Sequence, residues 1–328
     1  MYAIRLHEFG PAENLSYETV PDPEPAAGEL RIRVEAAGVH LVDTMLRSGE
    51  YSGGPMPAPE LPTIPGREVA GTVDSVGDGV DPDWVGRRVV AHLGMVPGGY
   101  AELAVTAAEK VHEIPSGVDA AGAVAMIGTG RTAAIVLSAA QLSPQDVLLV
   151  TAAAGGLGSL FVQEAKALGA TVVGLAGGPA KVEQVRALGA DVAVDYREGD
   201  WPVRVRDQLG GRDLTVVLDG VGGETGRAAL ELLGTGGRFL MFGWSAGAMT
   251  EISSADLLAK SLTVQWATGQ HLIQRYDGGL RGLESFALDR VASGAWVPLV
   301  TRFPLEKAAE AHTALMNRGT VGKAVLIP

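Results

Sequence analysis

The chain has no cysteine among its 328 residues. Disulfides, cysteine–zinc sites and a thiol nucleophile are thereby excluded. Basic residues are the minority charge, 26 Lys and Arg against 38 Asp and Glu, for a net charge of −12. Such a surface speaks against nucleic acid or an anionic membrane as partner. Long apolar runs are missing too: the longest uncharged stretch, Val147 to Val162, carries three glycines and falls short of a bilayer span. The opening segment MYAIRLHEFG places charges where a signal peptide needs an apolar core, so a cytoplasmic protein is expected. Aromatics are scarce at 5%, whereas the 45 glycines suit a tight α/β protein rich in turns.

The length allows two domains, each with its own core. Residues 1–120 read as β-rich: Tyr2 to Leu6, Leu30 to Ala36, Glu68 to Val76, Arg88 to Ala91 and Gly98 to Val105 alternate or run apolar between turn-formers. Tyr51 to Pro65 holds five prolines and reads as a loop, either a cleft lid or a plain connection. Asp119 to Gln141 reads as one long alanine-rich helix. From Asp146, strands near 147–151, 171–175, 191–194, 214–218 and 237–242 alternate with helices, which implies a parallel sheet covered on both faces. Leu262 to Ala267 is a candidate sixth strand. The domains expected are therefore 1–120, a nucleotide-binding domain over 121–267, and a return to the first domain over 268–328.

The informative stretch is DVLLVTAAAGGLGSLFVQEAKALGATVVGLA, Asp146 to Ala176. A buried β-branched strand leads into the tight turn Ala153-Ala154-Gly155-Gly156-Leu157-Gly158. Leu157, Leu160, Phe161, Glu164, Ala165 and Leu168 follow at helical spacing, and Gly169 closes the helix. A strand–glycine turn–helix–strand unit is the context that gives a dinucleotide fingerprint its meaning. Here Ala153 replaces the first glycine. Gly155 lets the backbone approach a pyrophosphate, Gly158 lets the helix lie against the strand, and the helix N-terminus points free N–H groups at the phosphates.

The cofactor follows from another absence. A site specific for NAD carries a carboxylate at the end of the second strand to hold the ribose 2′-OH. This chain has Ala176-Gly177-Gly178 there, and no acid before Glu183. Lys181, with Tyr196 and Arg197 after the next strand, offers two cations and a hydroxyl for a 2′-phosphate. The alternative is that both cations are ordinary solvated charges. NADPH is the expected cofactor.

Several motifs in order resemble one family. They are Gly38-Val39-His40-Leu41-Val42-Asp43-Thr44-Met45-Leu46-Arg47-Ser48-Gly49, Pro65-Gly66-Arg67-Glu68-Val69-Ala70-Gly71, Gly128-Thr129-Gly130-Arg131-Thr132-Ala133, Asp195-Tyr196-Arg197, and Phe242-Gly243 with Ser245 and Gly247 in register. Together they resemble the zinc-independent medium-chain dehydrogenase/reductases of the quinone oxidoreductase, zeta-crystallin-like, group. The resemblance implies a GroES-like β-rich catalytic domain built from both chain ends and a central Rossmann domain, with the substrate cleft between them. It also implies a homodimer paired through the edge strand Leu262 to Ala267. Of the Gly-His-Glu motif in zinc-dependent relatives only Glu68 persists, with Arg67 in the histidine's place, so no metal is expected.

By the same resemblance, Thr132 would bind the nicotinamide carboxamide. The loop Gly220-Val221-Gly222-Gly223 would lie under the ribose and ring, with Phe242, Gly243 and Ser245 closing over it. Arg318 and Lys323 would reach the cofactor phosphates. His40 stands where the family commonly has Asn, and either donates a proton or only replaces the amide's hydrogen bonds. Met45 replaces a usual Tyr, and Tyr51 is a second candidate donor. Asp43 and Arg47 are expected to pair structurally. His92, His112, His271 and His312 read as surface or core residues.

Without a metal to polarise an alcohol, reduction of an activated acceptor is the favoured chemistry, since orientation and exclusion of water then supply most of the rate. A quinone is the leading acceptor. An enone or enoyl thioester is the alternative on the same scaffold. A non-catalytic, cofactor-binding or RNA-binding role is the third possibility, disfavoured by the acidic surface.

Overall fold

The structure is a computed structural model that describes residues 1–50 and 58–328. The chain opens with β1 (Tyr2–Leu6), β2 (Leu15–Thr19), β3 (Glu29–Val39), helix α1 (Leu41–Ser48), β4 (Glu68–Val76), β5 (Arg88–His92), β6 (Leu103–Ala107) and β7 (Val111–Glu113). Helix α2 (Ala120–Ala125), a π-helical turn (Met126–Gly130) and α3 (Arg131–Ala140) follow. Then come β8 (Val147–Val150), α4 (Gly156–Ala167), β9 (Thr171–Ala176), α5 (Pro179–Ala187), β10 (Val192–Asp195), α6 (Trp201–Leu209), β11 (Leu214–Asp219), α7 (Gly223–Glu231), β12 (Leu233–Met241), α8 (Ser254–Lys260) and β13 (Thr263–Trp266). The chain ends with α9 (Gln270–Ile273), α10 (Gly279–Ala292), β14 (Val300–Pro304), α11 (Ala308–Met316) and β15 (Lys323–Ile327).

Two compact units result. One comprises Met1–Thr129, Ala287–Gly294 and Pro298–Pro328; the other comprises Gly130–Phe286 and Ala295–Val297. These units divide at 129/130 and 286/287, where the expected boundaries were 120 and 267. Helix α2 packs on β3 and β4, which draws it into the first unit. Residues 268–286 stay with the second, because Arg131 binds Glu284 at 2.7 Å and Phe286 packs edge-on against Trp296 with centroids 5.7 Å apart. The single helix expected over 119–141 runs over Ala120–Ala140 with the π turn inside it.

In the first unit the strands order as β14-β15-β3-β4-β5-β7, with β6 also on β3, and β1 pairs with β2. Leu30, Ile32, Val69, Val73, Val89, Ala91 and Leu326 fill its core. The strand expected from Gly98 begins only at Leu103. Before it, Tyr100 donates its N–H to Pro65 O at 2.9 Å and Ala101 pairs with Ala3 in an isolated bridge.

The second unit is a parallel sheet in the order β10-β9-β8-β11-β12-β13. Val147, Leu149, Val173, Leu175, Val194, Val217 and Phe239 form one of its buried layers. The chain winds outward from β8 to β10 and then crosses back to β11. The carboxyl ends of β8 and β11 therefore mark the topological switch point, where doubly wound sheets bind ligands.

Candidate functional site

The glycine turn leaves β8 at that switch point. Gly155 is the residue before α4, extended at φ −80° and ψ 173°, and no side chain caps the helix. The N-terminal N–H groups of α4 are left for an anion. A Cβ on Gly158 would run into Ala152 O and come within 2.8 Å of Ala153 Cα, so only glycine allows this approach. Ala153 is tolerated for a complementary reason. Its Cβ lies where a Cβ on Gly174 of β9 would be 2.9 Å away, so the glycine on the strand leaves the room that the methyl in the turn takes.

Tyr196 and Arg197 meet at the end of β9. Tyr196 Oη would be 2.9 Å from a Cβ on Gly177, and the Arg197 guanidinium lies over Gly178, which has φ +98°. Arg197 binds Asp195 through Nε at 3.1 Å and Nη2 at 3.0 Å, and holds the Asp195 carboxyl down to about 2. The side chain remains 58% exposed. A cation held by Asp195, a hydroxyl and a glycine-made hollow fit a 2′-phosphate. Lys181 lies in the first turn of α5, half-buried.

Across the switch point a buried carboxylate that pattern reading missed builds the second loop. Asp219, at the end of β11, is fully buried. Its Oδ1 accepts from Thr151 Oγ1 at 3.0 Å, Val221 N at 3.0 Å and Gly222 N at 3.1 Å, and its Oδ2 accepts from Thr250 Oγ1 at 2.7 Å. Ser245 N donates to Gly220 O at 3.1 Å, and a Cβ on Gly243 would sit 3.1 Å from that oxygen. The Phe242 ring lies against Gly220 Cα and edge-on to Phe161 at 5.2 Å. Ala154 to Gly158, Gly220, Val221, Phe242, Gly243 and Ser245 thus gather at one end of one sheet. Thr132 lies in the first turn of α3, half-buried beside Arg131.

In the β-rich unit, His40 precedes α1 and is 26% exposed at its side chain. Its Nε2 is 2.5 Å from Glu68 Oε1 and 2.8 Å from Lys323 Nζ, and Lys323 Nζ is 2.8 Å from Glu68 Oε2. Glu68 is fully buried and Lys323 is 5% exposed. The nearby imidazole and ammonium hold the Glu68 carboxyl well below its ordinary range against the cost of burial, while burial pushes the Lys323 amine down. Lys323 is thus engaged with Glu68 and His40. Arg318 follows α11 on the exposed surface at φ 54°. Tyr51 lies outside the described residues.

Asp43 does not bond Arg47 as expected. It accepts from His40 N at 2.8 Å and Tyr100 Oη at 3.1 Å, and faces Arg67 Nη2 at 3.6 Å. Tyr100 Oη in turn lies 3.2 Å from Nε2 of the fully buried His312. Asp43, Leu46, Arg47, Arg67 and Met95 are among the described residues that line a cavity of about 590 Å³ in this unit. Its apolar wall with a few charged groups is the usual make-up of a small-molecule pocket.

A parallel sheet with a glycine turn at its switch point, in one chain with a β-rich unit made from both chain ends, defines a medium-chain dehydrogenase/reductase. Residues 26–116 match the family described as alcohol dehydrogenase GroES-like domain, and residues 156–284 the family described as zinc-binding dehydrogenase. Quinone oxidoreductase of Pseudomonas aeruginosa is 34% identical over 99% of both chains. The 2-haloacrylate reductase of a Burkholderia species is 32% identical over 99% of this chain and 98% of its own. The crystal structure of Escherichia coli quinone oxidoreductase complexed with NADPH superposes with a TM-score of 0.87 at 33% identity, covering 100% of each chain. The chain belongs to the quinone oxidoreductase family.

Proposed function

We propose that this protein is an NADPH-dependent reductase that passes hydride to a quinone without a metal. The observation that carries the proposal is likeness along the whole chain to quinone oxidoreductases, one of them solved with NADPH. The Tyr196–Arg197 corner over Gly177 and Gly178 supports the choice of NADPH. The bound cofactor would supply the hydride.

Each residue's part follows from its place. The N–H groups of α4 and the backbone of Ala154 to Gly158 bind the pyrophosphate. Lys181, Tyr196 and Arg197 select the 2′-phosphate, and Thr132 orients the carboxamide. Asp219 holds the loop Gly220 to Gly223 in one conformation, and Phe242 and Ser245 cover the ring. The cavity beside Arg67 and Met95 takes a small, flat acceptor. A quinone needs no polarising cation, so positioning and exclusion of water carry the rate. His40, with its side chain partly in solvent, gives the proton.

The deciding experiment follows the loss of NADPH absorbance with a quinone panel and an enone panel in parallel, with NADH as control. Fast turnover of quinones with NADPH is expected; turnover of neither panel by cofactor-loaded protein would sink the proposal. The likeness to 2-haloacrylate reductase favours a second reading, reduction of a carbon–carbon double bond next to a carbonyl, and turnover confined to enones would select it.

The protein works as a cytoplasmic homodimer in this proposal, paired through β13. Supporting features are β13's place at the edge of the parallel sheet and the exposure of Leu258, 85%, in the helix before it. Light scattering giving a monomer at micromolar concentration would refute the dimer.

A further inference from the structure

The His40–Glu68–Lys323 cluster is a fitted construction. A Cβ on Gly38 would meet the Glu68 carboxylate and come within 3.1 Å of Lys323 Cε. A Cβ on Gly128, in the π turn, would meet the same carboxylate and come within 3.4 Å of His40 Nε2. Two glycines on separate elements therefore make the room in which the three side chains meet. π turns inside helices recur at functional sites.

His40 Nε2 stands under contradictory demands. Lys323, as an ammonium, can only donate, and Glu68, as a carboxylate, can only accept. Both lie within hydrogen-bond distance of the same ring nitrogen. Nε2 therefore has two proton arrangements. In one, it is bare and accepts from the Lys323 ammonium. In the other, the proton has crossed to Nε2, Lys323 is a neutral amine, and the imidazolium donates to Glu68. The cluster carries no net charge in either, so the crossing adds no uncompensated buried charge.

We propose that Lys323 is a positioning residue that keeps a proton in reserve for His40. The inference rests on the reductase reading above. The acceptor, having taken the hydride with its electron pair, holds negative charge on an oxygen. That oxygen forms an O–H bond as an N–H bond of the imidazolium breaks, leaving neutral His40 and neutral Lys323. One proton from solvent, entering at the partly exposed imidazole, recharges the cluster. Asp43 on α1, Arg67 beside Glu68 and His92 on β5 also face these groups and set the balance electrostatically.

The test compares wild type with Lys323→Arg and Lys323→Met. Arginine keeps the cation beside Glu68 but does not release its proton. Both variants are expected to lose at least about tenfold in turnover, within the range a general acid supplies. They should also shift the acid limb of the pH–rate profile and enlarge the solvent deuterium isotope effect, with NADPH affinity unchanged. In the cofactor-free protein, NMR titration of the His40 ring should move in Lys323→Met, where the ammonium beside Glu68 and His40 is gone. Unchanged turnover and pH profile in a folded Lys323→Arg would overturn the proposal, as would a His40 titration indifferent to Lys323→Met. A wild type inactive toward both acceptor classes would instead count against the reductase reading, and the titration would still judge the coupling.

Discussion

Arg197 reaches back two residues to grip Asp195 through both Nε and Nη2, and the same guanidinium covers Gly178. The carboxylate fixes the cation where the second strand of the fingerprint ends, so little side-chain freedom remains to be lost when a phosphate arrives. Arg197→Gln should weaken NADPH by about 10- to 100-fold, the worth of charge-assisted hydrogen bonds of about 1.5–3 kcal/mol. NADH should change far less. Fluorescence titration with both nucleotides checks this, and equal losses for the two would refute a 2′-phosphate role.

Asp219 joins Thr151, Val221, Gly222 and Thr250 around one buried carboxylate. Asp219→Ala leaves several buried donors unsatisfied and should destabilise the fold by about 3–5 kcal/mol. Asp219→Asn retains an acceptor at Oδ1 and can donate to Thr250, so it should cost much less. Urea denaturation of the two variants gives the comparison.

His312 is buried against Tyr100, and desolvation lowers its pKa from 6.5 to about 4. The unfolded chain therefore binds a proton in a range where the folded one does not. His312 stability is fully present above about pH 6.5 and is lost as the pH falls toward 4, amounting to about 3 kcal/mol. His312→Gln, which can keep a bond to Tyr100, should flatten the stability profile between those values. Denaturation midpoints at pH 7.5 and 5 decide it.

Gly128→Ala places a methyl on the Glu68 carboxylate. Overpacking of this kind costs about 1–3 kcal/mol. The variant should melt lower than wild type and lose reductase turnover while still binding NADPH, because the proposed nucleotide contacts lie in the other unit. A normal melting temperature would mean that the π turn yields freely.

The sequence by itself determined the parallel sheet, the glycine turn and the residues proposed to hold the cofactor's phosphate. Each rests on local rules: period-2 and continuous apolar runs, helix caps, and glycines demanded by backbone approach. Val147 to Ala176 could be read because a strand, a turn and a helix follow one another within 30 residues. Tertiary structure alone decided what was distant in the chain. Asp219 lies just past the strand expected at 214–218, and only the folding of Thr151 and Thr250 onto it gives it a part. Lys323 meets Glu68 and His40 because β15 pairs with β3. No periodicity announces such contacts, because they depend on sheet register across 283 residues of separation and on two glycines that leave the space.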